Sequence, residues 1–288
     1  MAIVAALCYA ELNTKESLLR KRSQMISTVC FALLAVYPHS HHWNWHSMAP
    51  LLLLGSCYCL IQTAQTTRPE GYTFYSYALL SCAAAVLPQT LWLVPVLAWC
   101  QATSISSLTL RSAMAALLGM CVPMAMLGLY LYVVKGATDL LPLVAQHLAP
   151  CFKPDIGYWT QLFGTSAEEW TVHDWQFIST AGCLLSISIV SISHYVHTAL
   201  KDKLRVRTFF NMLMLMEVAL WLTLLLFPAQ ADALLLLLSA ISAPFVAHYF
   251  TLSQGWAANV VFGLSLSTFA CLAIFNYNVQ WILSLIFS

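Results

Sequence analysis

"FFNMLMLMEVALWLTLLLF", residues 209–227, decides the fold. These residues carry one charge, Glu217, and at 1.5 Å per helical residue they extend about 28 Å, close to a bilayer core of about 30 Å. A run of this length and polarity reads as a membrane-crossing helix. The rest of the chain agrees: 60% of the 288 residues are hydrophobic, 8% are charged, and mean hydropathy is +0.77. Soluble domains carry about 25% charged residues, so a water-soluble fold would have almost nothing to place on its surface. The expected fold is all-α, a polytopic membrane helix bundle forming a single integral membrane domain over residues 1–288. Net charge is +1, which offers no field for nucleic acid, and that class of partner is excluded.

Working outward, apolar runs at 24–38, 48–65, 73–88, 90–104, 112–134, 175–196, 208–228, 233–252 and 256–275 predict nine spans. Basic residues test their order, because cytoplasmic loops carry the excess of lysine and arginine. With the segment before residue 24 inside, strict alternation puts Lys15, Arg20, Lys21, Arg22, Arg68, Arg111, Lys201, Lys203, Arg205 and Arg207 inside. Only Lys135 and Lys153 fall outside, in an outer loop at 135–174 that also holds Asp139, Asp155, Glu168, Glu169 and Asp174. This predicts an inner-membrane protein with that loop and the carboxyl terminus outside. Nine of the ten cysteines, all but Cys151, sit in apolar runs and no CxxC occurs, so they read as small buried hydrophobes.

Residues 1–10, MAIVAALCYA, reach only about 15 Å and cannot cross alone. No basic residue precedes them, which argues against a signal peptide. They read as an interfacial segment or as the tail of a further span. "LLRKRSQM" before the first span and "KLRVRTFF" before the seventh share Leu-Arg-x-Arg-Ser/Thr, and both spans exit through an aromatic and a proline, Tyr37-Pro38 and Phe227-Pro228. Topogenic signals alone account for that similarity.

The order of basic R-x-R, span, short outer turn, paired spans, Gly119 with Pro123, a long outer loop, and K-x-R before the last three spans resembles an uncharacterised family of multi-pass membrane proteins from Bacteroidota. The resemblance implies an additional amino-terminal span and supplies no catalytic residues.

"YPHSHHWNWHSMAP", residues 37–50, holds His39, His41, His42 and His46. Neutral imidazoles across a turn suit zinc or copper. No carboxylate or cysteine lies nearby, however, and Tyr37, Trp43 and Trp45 fit an aromatic belt at headgroup level. An interfacial turn is the expectation, with no cofactor.

Glu217 is the only acidic residue inside a predicted span, near the midplane, where ionisable side chains mark functional candidates. Asn211, six residues earlier, lies on a different face. His248, His194 and His197 fall near the cytoplasmic ends of their spans. Without a carboxylate beside them they read as snorkelling side chains, as Arg111 reads as an anchor.

The outer stretch "GTSAEEWTVHDW" supplies Glu168, Glu169, His173 and Asp174 between or beside tryptophans. Carboxylates beside a histidine offer a general base. No GxGxxG, P-loop, HExxH or GxSxG is present. Three functional expectations follow. The first is an uncharacterised envelope or transport protein handling a lipid or small apolar substrate near Glu217. The second is a glycosyl or lipid transferase acting on a lipid-linked substrate through the outer loop. The third is a non-catalytic assembly partner bound to another membrane protein.

Overall fold

The computed structural model describes residues 2–16, 18–19, 23–37, 45–66, 68–135, 148–155, 157–164, 170–253 and 255–286, and every regular element among them is helical. They are α1 (Ala2–Glu16), α2 (Met25–Val36), α3 (Ala49–Gln62), α4 (Glu70–Val86), α5 (Val94–Thr103), α6 (Leu110–Lys135), α7 (Gly157–Gly164), α8 (Val172–Thr198), α9 (Leu204–Leu226), α10 (Ala231–Leu252) and α11 (Trp256–Ile286). The chain groups into two compact units. The first contains Met1–Trp43, Ile156–Phe210 and Leu234–Ser288; the second contains Asn44–Asp155 and Asn211–Ala233.

Five segments are long and apolar enough to cross a membrane: Leu110–Tyr130, Val172–Lys201, Leu204–Leu226, Pro228–Leu252 and Asn259–Asn278. They coincide with the last five expected spans to within a few residues. The first four expected spans appear as shorter helices, α2 through α5, of 12, 14, 17 and 10 residues. Proline is one cause. Pro88 follows the end of α4, and Pro95 sits in the first turn of α5. The stretch between them, Pro88–Leu93, is a 3-10 helix, which rises about 2 Å per residue and so lengthens α5 more than an equal α-helical stretch.

In the first unit α10 is the buried centre. Every residue from Leu234 through Tyr249 is buried, as expected for a helix hydrophobic on all sides. Its Pro244 has no N–H, so the carbonyl of Ala240 four residues earlier loses its helical donor. Tyr9 of α1, 1% exposed, supplies the replacement, its hydroxyl donating to Ala240 O at 2.6 Å. The amino-terminal segment, read as interfacial or as the tail of a further span, thus reaches the middle of α10 through Tyr9.

Helix α8 turns a stripe of Phe177, Thr180, Leu184, Ser188, Ser191 and Tyr195 inward at helical spacing. Ser188 Oγ donates to Ser242 Oγ of α10 at 3.1 Å. On α11, by contrast, Val260, Phe262, Leu264, Leu266 and Ile274 are exposed, the pattern of a helix facing lipid.

The second unit is built on small residues. A Cβ added at Gly119 of α6 would lie 2.5 Å from Phe74 O and 3.1 Å from Ala78 N of α4, so the two backbones touch there. Close approach through small residues is how membrane helices gain van der Waals contact where lipid is as apolar as leucine. Hydroxyls and amides then link neighbours. Ser76 Oγ donates to Ser56 O at 2.9 Å, Ser81 Oγ to Met120 O at 2.8 Å, and Tyr77 OH to Gln101 Oε1 at 3.3 Å.

Candidate functional site

The carboxyl-terminal end of α8, the turn after it, the start of α9 and the end of α10 converge on a buried histidine–aspartate pair. His248 Nε2 lies 3.1 Å from Asp202 Oδ2, with the two side chains 1% and 2% exposed. Asp202 is placed by the 3-10 turn Ala199–Lys201, its N–H donating to Ala199 O at 3.0 Å.

Aromatic rings wall the pair. Tyr195 and Phe210 stand edge-on to the His248 ring at 5.6 and 5.1 Å. Tyr195 also stacks on Phe210 at 5.1 Å, and Phe245 closes against both at 5.7 and 5.3 Å. The Tyr195 hydroxyl donates to the Arg207 carbonyl at 3.1 Å, fixing the first turn of α9. His194 brings a second imidazole to 5.9 Å from His248 and packs edge-on to Tyr249 at 5.0 Å. Buried charge demands a partner, and exclusion of water strengthens the contact between these two groups.

The carboxylate beside His248 belongs to Asp202, 46 residues away in sequence. Asp202 stands between Lys201 and Lys203 in "KDKLRVR", where a charge has the local pattern of a solvated basic run. His194 and His197, three residues apart, diverge: the first packs in the cluster and the second is exposed.

The opposite end of α8 holds a neutral polar knot. Asn276 of α11 donates from Nδ2 to Val36 O of α2 at 3.1 Å and to Thr180 Oγ1 of α8 at 3.0 Å. Gln176 Nε2 donates back to Asn276 O at 2.7 Å. Two residues on, Asn278 leaves helical geometry at φ −119° and ψ 16°, so α11 bends where the knot holds it.

Between the two ends α8 and α11 leave an apolar groove of about 180 Å³. Cys183, Ser186, Ile187 and Val190 line it from α8, and Val261, Leu264, Ser265, Thr268 and Phe269 from α11.

The remaining sequence candidates are dispersed. Asp174 starts α8: Thr171 N–H and Oγ1–H donate to its Oδ2 at 3.0 and 2.6 Å, and Tyr158 OH donates to Oδ1 at 3.0 Å. With Asp174 N–H donating to Thr171 Oγ1 this is a capping box, a structural use of the carboxylate. His173 is half-buried beside it. Glu168 and Glu169 lie outside the described residues, as do His39, His41 and His42. His46 is exposed in the 3-10 turn Trp45–Met48.

Glu217 is 1% exposed on α9 in the second unit, next to Met216, whose sulfur meets the Cys57 thiol at 3.3 Å. It lines neither the α8–α11 groove nor the small void beneath it. All ten cysteines are free thiols, and burial pushes the Cys151 thiol up to about 11, which makes it inert near neutral pH. Among the described residues no group of three or more His, Cys, Asp or Glu is placed to hold a metal.

Long apolar helices, outward apolar faces and polar groups gathered inside define the class: a membrane-embedded α-helical bundle. Comparison with known proteins adds no narrower assignment, since no family model, curated protein or solved structure matches the chain.

Proposed function

We propose that this chain is a multi-pass inner-membrane protein that handles a lipid or small apolar substrate of the cell envelope, with nine crossings and with the 135–174 loop and carboxyl terminus outside. The observation that carries this reading is the α8–α11 groove. Its three hydroxyls donate to carbonyls of their own helices, Ser186 to Cys183 O at 2.8 Å, Ser265 to Val261 O at 2.7 Å and Thr268 to Leu264 O at 2.7 Å. With those hydroxyls turned back onto backbone, the groove offers alkyl surface and a thiol, a lining suited to an acyl chain rather than to a sugar or an ion.

The crossing number draws support from contacts within each unit. In the first, Val36, Thr180 and Asn276 meet at one end of α8 and Asp202 and His248 at the other, as alternation requires. In the second, Trp92 Nε1 donates to Cys151 O at 3.2 Å, and Asp155 N–H donates to Leu226 O at 3.0 Å. All four residues belong to the expected outer face.

The reading is tested by photocrosslinking with a diazirine-bearing acyl lipid in nanodiscs, followed by peptide mapping. Label concentrated at Ile187, Val190, Val261 and Leu264, and lost in Ser265→Trp at unchanged protein level, is the expected outcome. Label spread evenly over outward residues such as Leu117, Met126 and Leu266 would remove the groove as a substrate site.

A further inference from the structure

We propose that Asp202 and His248 form a proton-binding site. A proton taken from water at the 199–203 turn adds to the imidazole, converting carboxylate and neutral imidazole into a carboxylate–imidazolium pair that grips this turn against α10. One N–H bond forms, hydronium gives up its proton to leave water, and nothing is oxidised or reduced. The inference stands on the pair itself and is independent of what occupies the groove.

Geometry favours a titrating site over an inert hydrogen bond. Without a proton the couple is a net negative charge walled by Tyr195, Phe210 and Phe245; with one it is neutral overall, and burial penalises the first state. The path for the proton is short. Although the Asp202 side chain is 2% exposed, its residue as a whole is partly open, and Leu200, Lys201, Lys203 and Leu204 around it are exposed.

The charged and titratable groups about the pair come from each packed element. From α8 they are His194 and Tyr195, with Lys201 and Lys203 flanking Asp202 on the turn. Helix α9 brings Arg205 and Arg207 at its first turn, and α10 brings Tyr249 beside His194. The pair therefore has positive side chains at the turn and at the first turn of α9, and imidazole and phenol rings on the helices packed around it.

The test is imidazole 15N NMR of the full chain in lipid nanodiscs, titrated from about pH 4 to about pH 9 to bracket the ordinary histidine range. His248→Gln assigns the resonance, and exposed His197 is the internal reference. His248 is expected to titrate within that window, and Asp202→Asn is expected to lower its proton affinity about tenfold or more while His197 stays unchanged. Should Asp202→Asn fail to fold, the wild-type curve alone decides. A His248 signal that holds one protonation state across the window, or that titrates identically with and without the carboxylate, would make the pair a static hydrogen bond and overturn the proposal.

Discussion

The two ends of α8 use opposite chemistry for the same task. At Asn276 three helices are tied by a side-chain amide that donates to Val36 O and Thr180 Oγ1, while the residue's backbone carbonyl accepts from Gln176, all groups without charge at any ordinary pH. At His248 a turn and a helix are tied by an imidazole against a carboxylate, and in the proposed site the imidazole gains charge with its proton. Either device satisfies buried polar groups where lipid and protein cannot. The difference is that the first holds under all conditions, whereas the second responds to proton concentration.

Breaking the charged end should cost most. Asp202→Ala takes the carboxylate away from buried His248, and removing one partner of a buried pair typically costs about 3–5 kcal/mol. Thermal unfolding in detergent at several pH values should show a lowered midpoint and a flattened pH dependence. The sign follows from linkage: the imidazolium form is the one the carboxylate stabilises, so the wild-type advantage is present on the acid side of the histidine's titration and fades as pH rises through it.

Asn276→Leu removes the two side-chain bonds of the neutral knot and should cost about 1–3 kcal/mol for the lost hydrogen bonds and the groups left behind. The same melts should show an equal loss at every pH. A pH-dependent loss there would erase the contrast between the ends.

A third tie lies midway, where Tyr9 serves the carbonyl that Pro244 leaves without a donor. Tyr9→Phe should cost about 1 kcal/mol. Pro244→Ala in the same chain restores a helical N–H, so a double-mutant cycle should show the two changes to be non-additive. The smallest effect is expected at His197→Gln, an exposed site close to the charged cluster but outside it, within about 0.5 kcal/mol of wild type.

Much of this architecture was legible in residue order. The five long apolar helices fall where hydropathy placed them, since a run such as 209–227 has no stable alternative to a helix in lipid. The first four expected spans were less so, because Pro88 and Pro95 cut the 73–104 stretch into pieces that periodicity does not resolve. Gly119 was noticeable as a residue, but its contact with Phe74 O depends on a partner 45 residues away and leaves no local signal.

The site was half legible. His248 and Glu217 stood out as polar residues in apolar runs, which needs only composition to see. Asp202 did not, because Lys201 and Lys203 beside it supply a ready local explanation for its charge. Asp174, read as a candidate base, is absorbed by the start of α8, a role the Thr171-x-x-Asp174 spacing encodes.

The contrast between the two ends of α8 presumes that they lie on opposite faces of a membrane, and cysteine accessibility tests this most directly. With exposed Cys8, Cys121 and Cys271 and half-buried Cys59, Cys82 and Cys183 replaced by serine and the four buried thiols left in place, Lys201→Cys and Thr171→Cys are made singly and exposed to a membrane-impermeant maleimide in sealed vesicles of known orientation. The account predicts that one position labels in intact vesicles and the other only after the membrane is opened. Labelling of both from the same side would show that α8 does not cross and would contradict the membrane-spanning fold on which the rest depends.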